Sequence, residues 1–310
     1  MKQDLAEKLR ERIHARRVTL AAEGVETDAF RLVDGAADGW PGLSVDCLGM
    51  VWLAQTCDVA LDPLWLDAVE AGLCAELWHK QVTRDNKHAP ACVAGEARES
   101  AVVSEGGARY LVRPGAGYSC GLFIDQRLNR ERVRQAAAPG STWLNLFSYT
   151  CSFSVAAARS GAATTSVDLN GRYLNWGREN FRLNDLDPAD HRWIKGDSFD
   201  WLAAFRKKGA RFDGVVLDPP TFSRGLKKKV FRIETDLAEL VALAAELVSP
   251  GGWLLVSGNT LRMSDAAFRA AVTQGLASVG RRADGLRSCL PMPGDFTGSR
   301  HLKSLWLTLP

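Results

Sequence analysis

From residue 142 onward, short apolar runs alternate with longer segments of helical spacing, and this constrains the fold more than any other feature. TWLNLF, ATTSVD, HRWIKG, DGVVLD and GGWLLVSG have strand length. Between and after them, segments 151–160, 171–184, 197–208, 233–248 and 264–278 read as helices. Strands separated by helices of this length imply βαβ units and a parallel sheet covered on both faces. Further strands are expected near 281–289 and 302–309. No helix separates them, so the reading is a seven-stranded, mostly parallel sheet closed by an antiparallel hairpin.

The first third reads differently. Residues 30–57 give three short strands, with turns at Gly35, at Gly39-Trp40-Pro41-Gly42 and at Gly49. A helix is expected over 62–78, capped by Asp62 and opened by Pro63, and short strands at 80–85, 101–104 and 108–113. A small α+β domain (1–115) is thus expected to precede the α/β domain (116–310). Leu5, Leu9 and Ile13 share one face of an N-terminal amphipathic helix. That stretch lacks the apolar core of a signal peptide, and no run is long enough to cross a bilayer. The seven cysteines include no CxxC pair and the five histidines are dispersed. Free thiols, no metal site and a cytoplasmic location are expected. A net charge of +3 permits a polyanionic partner without requiring one.

In an open parallel sheet the ligand lies beyond the carboxyl ends of the strands. The first such end offers Asn145, Phe147, Ser148, Tyr149, Thr150 and Cys151. The second ends on Asp168, placed to bond ribose hydroxyls or to cap the next helix. Asp197 follows the third and opens a helix, where an N-cap role competes with ligand binding. The fourth ends on Asp218, locked by Pro219 and Pro220. The first loop, LFSYTCSFS, has no glycine, and no GxxxxGK[ST] is present, which disfavours NAD and ATP. A nucleoside ligand without phosphates, such as S-adenosylmethionine, needs no such close backbone approach. Just after Phe222 comes a basic run, Arg224 and then Lys227, Lys228 and Lys229, which is either a solvated face or a phosphate contact.

Taken together, ADGWPGLSVDCLG (37–49), SCGLFIDQRLNR (119–130), LNLFSYTCSFSVAAARSGA (144–162), SVDLNGRYLNWGRENFRLN (166–184), LDPPTFSRG (217–225) and GGWLLVSGN (251–259) resemble the bacterial large-subunit ribosomal RNA methyltransferases of the RlmI and RlmK type. The resemblance runs from about residue 30 to the C-terminus. It leaves no room for the PUA RNA-binding domain that often precedes this fold. It implies a class I methyltransferase that uses S-adenosylmethionine. By the same resemblance, Asp168 holds the ribose, Leu169 beside it also binds the cofactor, and Asp197 and Ser198 lie beside the adenine. Asn145, Phe147 and Tyr149 surround the methionine part, while Phe123, Asp125, Gln126 and Arg127 fold over the cofactor. Asp218, Pro219 and Asn259 form the catalytic edge, and Phe222, Arg224 and Lys227 to Lys229 meet the RNA, with Arg262, Arg300 and Lys303 assisting. The implied partner is 23S rRNA or a ribosomal subunit precursor; a homodimer is admitted but not specified.

Methylation at carbon 5 of cytosine needs a cysteine nucleophile. None stands after Asp218 or in VSGNT. The pattern is therefore closer to the branch acting on a guanine nitrogen, with no covalent intermediate. Two alternatives remain: a cytosine carbon-5 enzyme using an unusual cysteine such as Cys120 or Cys151, and an RNA-binding member that has lost cofactor binding. The second is motivated by two departures. Cys151, followed by Ser152, stands where the family usually has glycine, and Cys120 stands where threonine is common. A cysteine at 151 would be strained if its φ is positive.

Overall fold

The structure is a computed structural model that describes residues 2–83, 89–117, 119–224 and 230–310. It divides into two compact units, one of residues 1–127 with 293–299, the other of residues 128–292 with 300–310. The boundary anticipated at 115/116 falls within the first unit's range.

In the first unit, helix α1 (Lys2–Glu23) precedes strands β1 (Ala29–Asp34), β2 (Leu43–Leu48) and β3 (Val51–Thr56). A 3-10 turn at Pro63–Leu66 and the one-turn helix α2 (Asp67–Glu70) lead to β4 (Glu76–Gln81) and β5 (Ala91–Gly95). These strands form one sheet in chain order, with only β3 and β4 parallel. A separate hairpin joins β6 (Ala101–Glu105) to β7 (Ala108–Val112). Leu9 and Leu20 of α1 are buried with Leu32, Val45, Trp52 and Leu77 in one apolar cluster. The helix expected over 62–78 is corrected to this short turn followed by a strand. Asp62 does cap it, accepting from the Leu64 N–H at 3.0 Å. Gly72 then takes a left-handed conformation (φ 68°) that ends the helix. The helical spacing of Leu73 and Leu77 misled because Leu77 is buried as a strand residue.

The second unit opens with α3 (Arg127–Ala136), whose first residue belongs to the first unit. It continues through β8 (Thr142–Leu146), α4 (Ser152–Ala158), β9 (Ala163–Asp168), α5 (Gly171–Leu183), β10 (Arg192–Lys195), α6 (Ser198–Lys207) and β11 (Phe212–Leu217). A short pair, β12 (Phe222–Arg224) with β13 (Val230–Arg232), precedes α7 (Ile233–Ala245), β14 (Val248–Asn259), α8 (Asp265–Ser278) and β15 (Leu302–Leu309). The main sheet has the order β10-β9-β8-β11-β14-β15, parallel except for β15. One face packs on α6, α7 and α8 through residues such as Leu202, Leu240 and Phe268. The other packs on α3 and α4 through Val133, Phe153 and Trp143.

Seven strands are corrected to six among the described residues. Segment 281–289 makes only an isolated bridge, Asp284 with Thr308. Its sequence is mainly polar and offers no alternating apolar face to the sheet. The terminal hairpin is likewise corrected: β15 pairs with β14 across α8, not with a neighbour in sequence.

Within the first unit, Arg127 is a structural ion. Its guanidinium is wholly buried and bonds Asp295 at 2.7 Å and Glu23 at 2.8 Å. Burial alone would lower its pKa, but the two carboxylates outweigh this and raise it. Removing one member of a buried pair strands the other. Arg127→Met is expected to cost about 3–5 kcal/mol, read from the urea unfolding midpoint; adding Asp295→Asn should recover part of that loss.

Candidate cofactor and substrate site

Strand register places the key residues in one row. Leu146 of β8 pairs with Val167 on one side and Leu217 on the other, and Leu217 pairs with Val256. One residue further on, Asp168, Phe147, Asp218 and Ser257 stand level at the carboxyl edge. The strand order turns back at β8 and β11, the switch point where open α/β sheets bind ligands. Asp168 and Asp218 are two strands apart, about 10 Å by interstrand spacing.

The loop after β8 is held from several sides. The Ser148 N–H donates to the Val167 carbonyl, and Asn180 of α5 donates to the Thr150 carbonyl. Asp168 accepts from the Tyr149 N–H through Oδ2 and from the Asn170 N–H through Oδ1, each at 2.8 Å. The cap of α5 is Asn170, not Asp168. Asp168 therefore ties two loops together, and its desolvation raises its pKa despite both bonds.

Three residues of that loop have positive φ: Phe147 (55°), Tyr149 (47°) and Cys151 (62°). None is glycine, so each costs on the order of 1 kcal/mol. Cys151 is thus in the left-handed conformation that its sequence position threatened. Its thiol is fully buried, and burial pushes it up to about 12. Gly177 of α5 makes the room. A Cβ there would lie 2.6 Å from the Cys151 Sγ and 3.0 Å from the Trp193 ring.

The remaining expected residues are placed as follows. Asn145 is buried beneath the loop; its Nδ2 donates to Ser154 of α4 at 2.9 Å, and its Oδ1 has no partner. Phe147 packs near Phe231, and Tyr149 packs edge-on against Tyr173. Leu169 is half-buried after Asp168, and Ser198 is buried. Asp197 is the N-cap of α6, accepting from the Phe199 N–H at 2.9 Å. Asp218 accepts from the Ser257 hydroxyl at 2.6 Å, with Pro219 buried and Pro220 exposed beside it. Asn259 is exposed, and its carbonyl accepts from Thr221 at 2.7 Å. Phe222 is 46% exposed with the Arg232 guanidinium over its ring. Arg224 lies in β12, while Lys227, Lys228 and Lys229 fall outside the described residues. Phe123, Asp125, Gln126 and Arg127 belong to the first unit; Phe123 is exposed, and the other three are buried.

Lys303 differs from its anticipated role in meeting RNA. It is buried, and its ammonium donates to the Thr260 carbonyl at 2.8 Å and the Arg300 carbonyl at 3.3 Å. It fixes the turn after β14. Ser257, Arg232 and Gly177 were missed in the sequence. Only strand register could have marked Ser257, and nothing local marks the other two.

A nucleoside with ribose hydroxyls fits this edge. A carboxylate has about four acceptor positions, of which the two backbone N–H groups on Asp168 use one on each oxygen. Among the described residues no His, Cys, Asp and Glu cluster could hold a metal, and no helix is long and apolar enough to cross a membrane.

Residues 58–273 match the S-adenosylmethionine-dependent methyltransferase family, and the chain belongs to it. It is similar to a ribosomal RNA large subunit methyltransferase of Deinococcus radiodurans, 31% identical over 300 residues, covering 92% of this chain and 73% of the relative. It is 41% identical over 211 residues to a ribosomal RNA large subunit methyltransferase K/L of Chromohalobacter salexigens, covering 65% of this chain and 28% of the relative. With the K protein of Neisseria meningitidis it shares 40% identity over 167 residues, covering 53% and 47%. The chain thus spans between about a quarter and a half of the length of these last two curated relatives. Among solved structures, a methyltransferase complexed with SAH superposes with a TM-score of 0.84 at 29% identity, covering 99% of this chain and 81% of that one. A SAM-dependent methyltransferase of Streptococcus mutans gives 0.80 at 27%. These matches bear out the family resemblance and the methyl donor read from the sequence.

The Cys151–Gly177 fit is testable by a double-mutant cycle. Gly177→Ala should overpack the loop and cost about 1–3 kcal/mol. Cys151→Gly in the same chain should recover most of that cost, since it removes the clashing sulfur and relieves the left-handed backbone. Additive losses in denaturant melts would refute the coupling.

Proposed function

We propose that this chain transfers the methyl group of S-adenosylmethionine to a guanine nitrogen of large-subunit ribosomal RNA. The observation that carries this reading is the Asp218 edge: a rigid carboxylate level with Asp168, with no thiol placed to attack a base. When bound, S-adenosylmethionine supplies an electrophilic methyl group on a sulfonium. Asp168 accepts hydrogen bonds from the ribose hydroxyls. Leu169, Asp197 and Ser198 flank the adenine, and Phe147 and Tyr149 the methionine end. Asp218, held by Ser257, accepts from the N–H donors on the edge of guanine, and Asn259 helps to hold the base. Pro219 and Pro220 keep that corner from moving. Nitrogen 7 of guanine is already nucleophilic, so alignment and exclusion of water suffice.

The cytosine carbon-5 alternative requires a thiolate. Cys151 is sealed, with its thiol pushed up to about 12, and Cys120 is buried and raised to about 11. Neither is a ready nucleophile at neutral pH. The large-subunit RNA substrate is supported by the names of the relatives in Deinococcus, Chromohalobacter and Neisseria. Phe222 and the Arg224 segment are the proposed RNA contacts.

Ribose hydroxyls favour the ionised form of Asp168, whose pKa in the ligand-free chain is raised. Cofactor affinity should therefore be full at neutral pH and fall as pH drops through that raised value, by calorimetric titration. Asp168→Ala should abolish the heat of binding while leaving thermal unfolding cooperative. Cys120→Ala and Cys151→Ala should each retain transfer, with 7-methylguanine as the product in nucleoside mass spectrometry. A 5-methylcytosine product lost on one cysteine change would favour the covalent alternative. No heat with the unaltered chain would favour an RNA-binding member without transfer, the reading that the left-handed Cys151 loop motivates.

A further inference from the structure

Beside Asp168, but on the outer edge of the sheet, lies a concave surface of which the methyl-transfer reading uses only Leu169, at its rim. A cleft of about 650 Å³ opens between α5 and β10, and it lies wholly within the second unit. Arg172 and Arg178 of α5 and Lys195 at the end of β10 line it, and no carboxylate does. Among the described residues none of these three cations forms an ion pair. Arg178 is nevertheless ordered. Its guanidinium lies 4.9 Å over the Trp193 ring and donates to the Asn175 side chain at 2.7 Å. Arg172 and Lys195 are exposed.

Gathering three like charges around a concavity raises the energy of the unliganded protein. The fold gives no reason for it. Elsewhere in this unit basic side chains do meet acids, as Arg134 meets Glu131 and Arg206 meets Glu246. S-adenosylmethionine carries no phosphate, and its one carboxylate belongs to the methionine end proposed at Phe147 and Tyr149, outside this cleft, so the cofactor does not account for these charges either. Lys195 pairs with Asp168 across β10 and β9, which puts the cleft at the same end of the sheet as the cofactor edge.

We infer that this α5–β10 cleft binds the phosphate backbone of the substrate RNA, at a distance from the methylated base. Such contacts position a nucleic acid without reading its sequence. Arg178, pre-ordered on Trp193, and Arg172 at the rim supply planar donor forks, while Lys195 adds a point charge. The inference rests on the RNA-methyltransferase reading, and the two can fail separately.

The test compares the full chain with Arg172→Glu/Lys195→Glu and with the neutral Arg172→Gln/Lys195→Gln. Both pairs leave Arg178 and the packed Trp193 in place. Binding of a labelled single-stranded RNA oligonucleotide and of transcribed large-subunit RNA is measured by fluorescence anisotropy across a salt series, and binding to isolated large ribosomal subunits by co-sedimentation. S-adenosylmethionine binding is followed by calorimetry as the control for folding. The expected result is unchanged cofactor binding with weaker binding of both RNAs. The salt dependence of the neutral pair should fall by about 1.4 to 1.8 in log–log slope for two lost phosphate contacts. Unchanged affinity and slope in both variants would overturn the cleft while leaving the methyltransferase reading intact. A loss confined to assembled ribosomal particles, with naked RNA unaffected, would also overturn it and assign the cleft to a protein surface. No RNA binding by the unaltered chain would overturn both readings.

Discussion

The backbone N–H groups of Tyr149 and Asn170 converge on one carboxylate, and the cofactor edge depends on that convergence. Asp168 is half-buried and desolvated, so each bond it accepts carries more weight than it would in water. The loop after β8 holds three non-glycine residues in the left-handed region. Such a loop persists only where its surroundings over-determine it. Here the surroundings are Asp168, the Val167 carbonyl, Asn180 and the space left by Gly177. The same carboxylate that pins the loop is the one proposed to meet the ribose, so the rigidity and the proposed recognition rest on the same atoms.

Pre-organisation recurs on the other side of β8. Two prolines stiffen the chain after Asp218, Ser257 orients its carboxylate, and Thr221 ties the corner to the end of β14. Lys303, buried beneath, satisfies the carbonyls of the next turn. A buried ammonium ordinarily demands a carboxylate partner. Here carbonyl oxygens take most of that role, with Asp265 more distant at 3.9 Å. The edge is therefore assembled from strand ends whose relative positions the sheet fixes, as the proposed transfer by alignment requires.

Much of this was legible in the chain. The alternation after residue 142 marked five of the six strands of the main sheet and the helices between them, and β15 was marked near the C-terminus. Asp168 and Asp218 stood out because polar residues that end apolar strands need a reason to be there. Cys151 was flagged by departure from a pattern, and the backbone is left-handed where that departure falls. The failures have physical causes. Residues 62–78 carried helical spacing, but Gly72 broke the helix and the pairing of β4 with β3 claimed the rest. Segment 281–289 was read as a strand although its polar face had nothing to bury. The buried pair of Arg127 with Asp295 left no local mark, because the two lie far apart along the chain.

The sequence by itself determined the parallel α/β unit, the small α+β unit before it and the family, because strand and helix periods are local and the motifs are contiguous. Only the tertiary structure decided which atoms meet. The level row of Asp168, Phe147, Asp218 and Ser257 follows from the register between strands. The sealing of the Cys151 thiol, the committed guanidinium of Arg127 and the convergence of Arg172, Arg178 and Lys195 on one cleft follow from packing. Hydrogen bonds, burial and electrostatic fields act over a few ångströms of space whatever the separation along the chain, and sequence spacing alone does not encode that proximity.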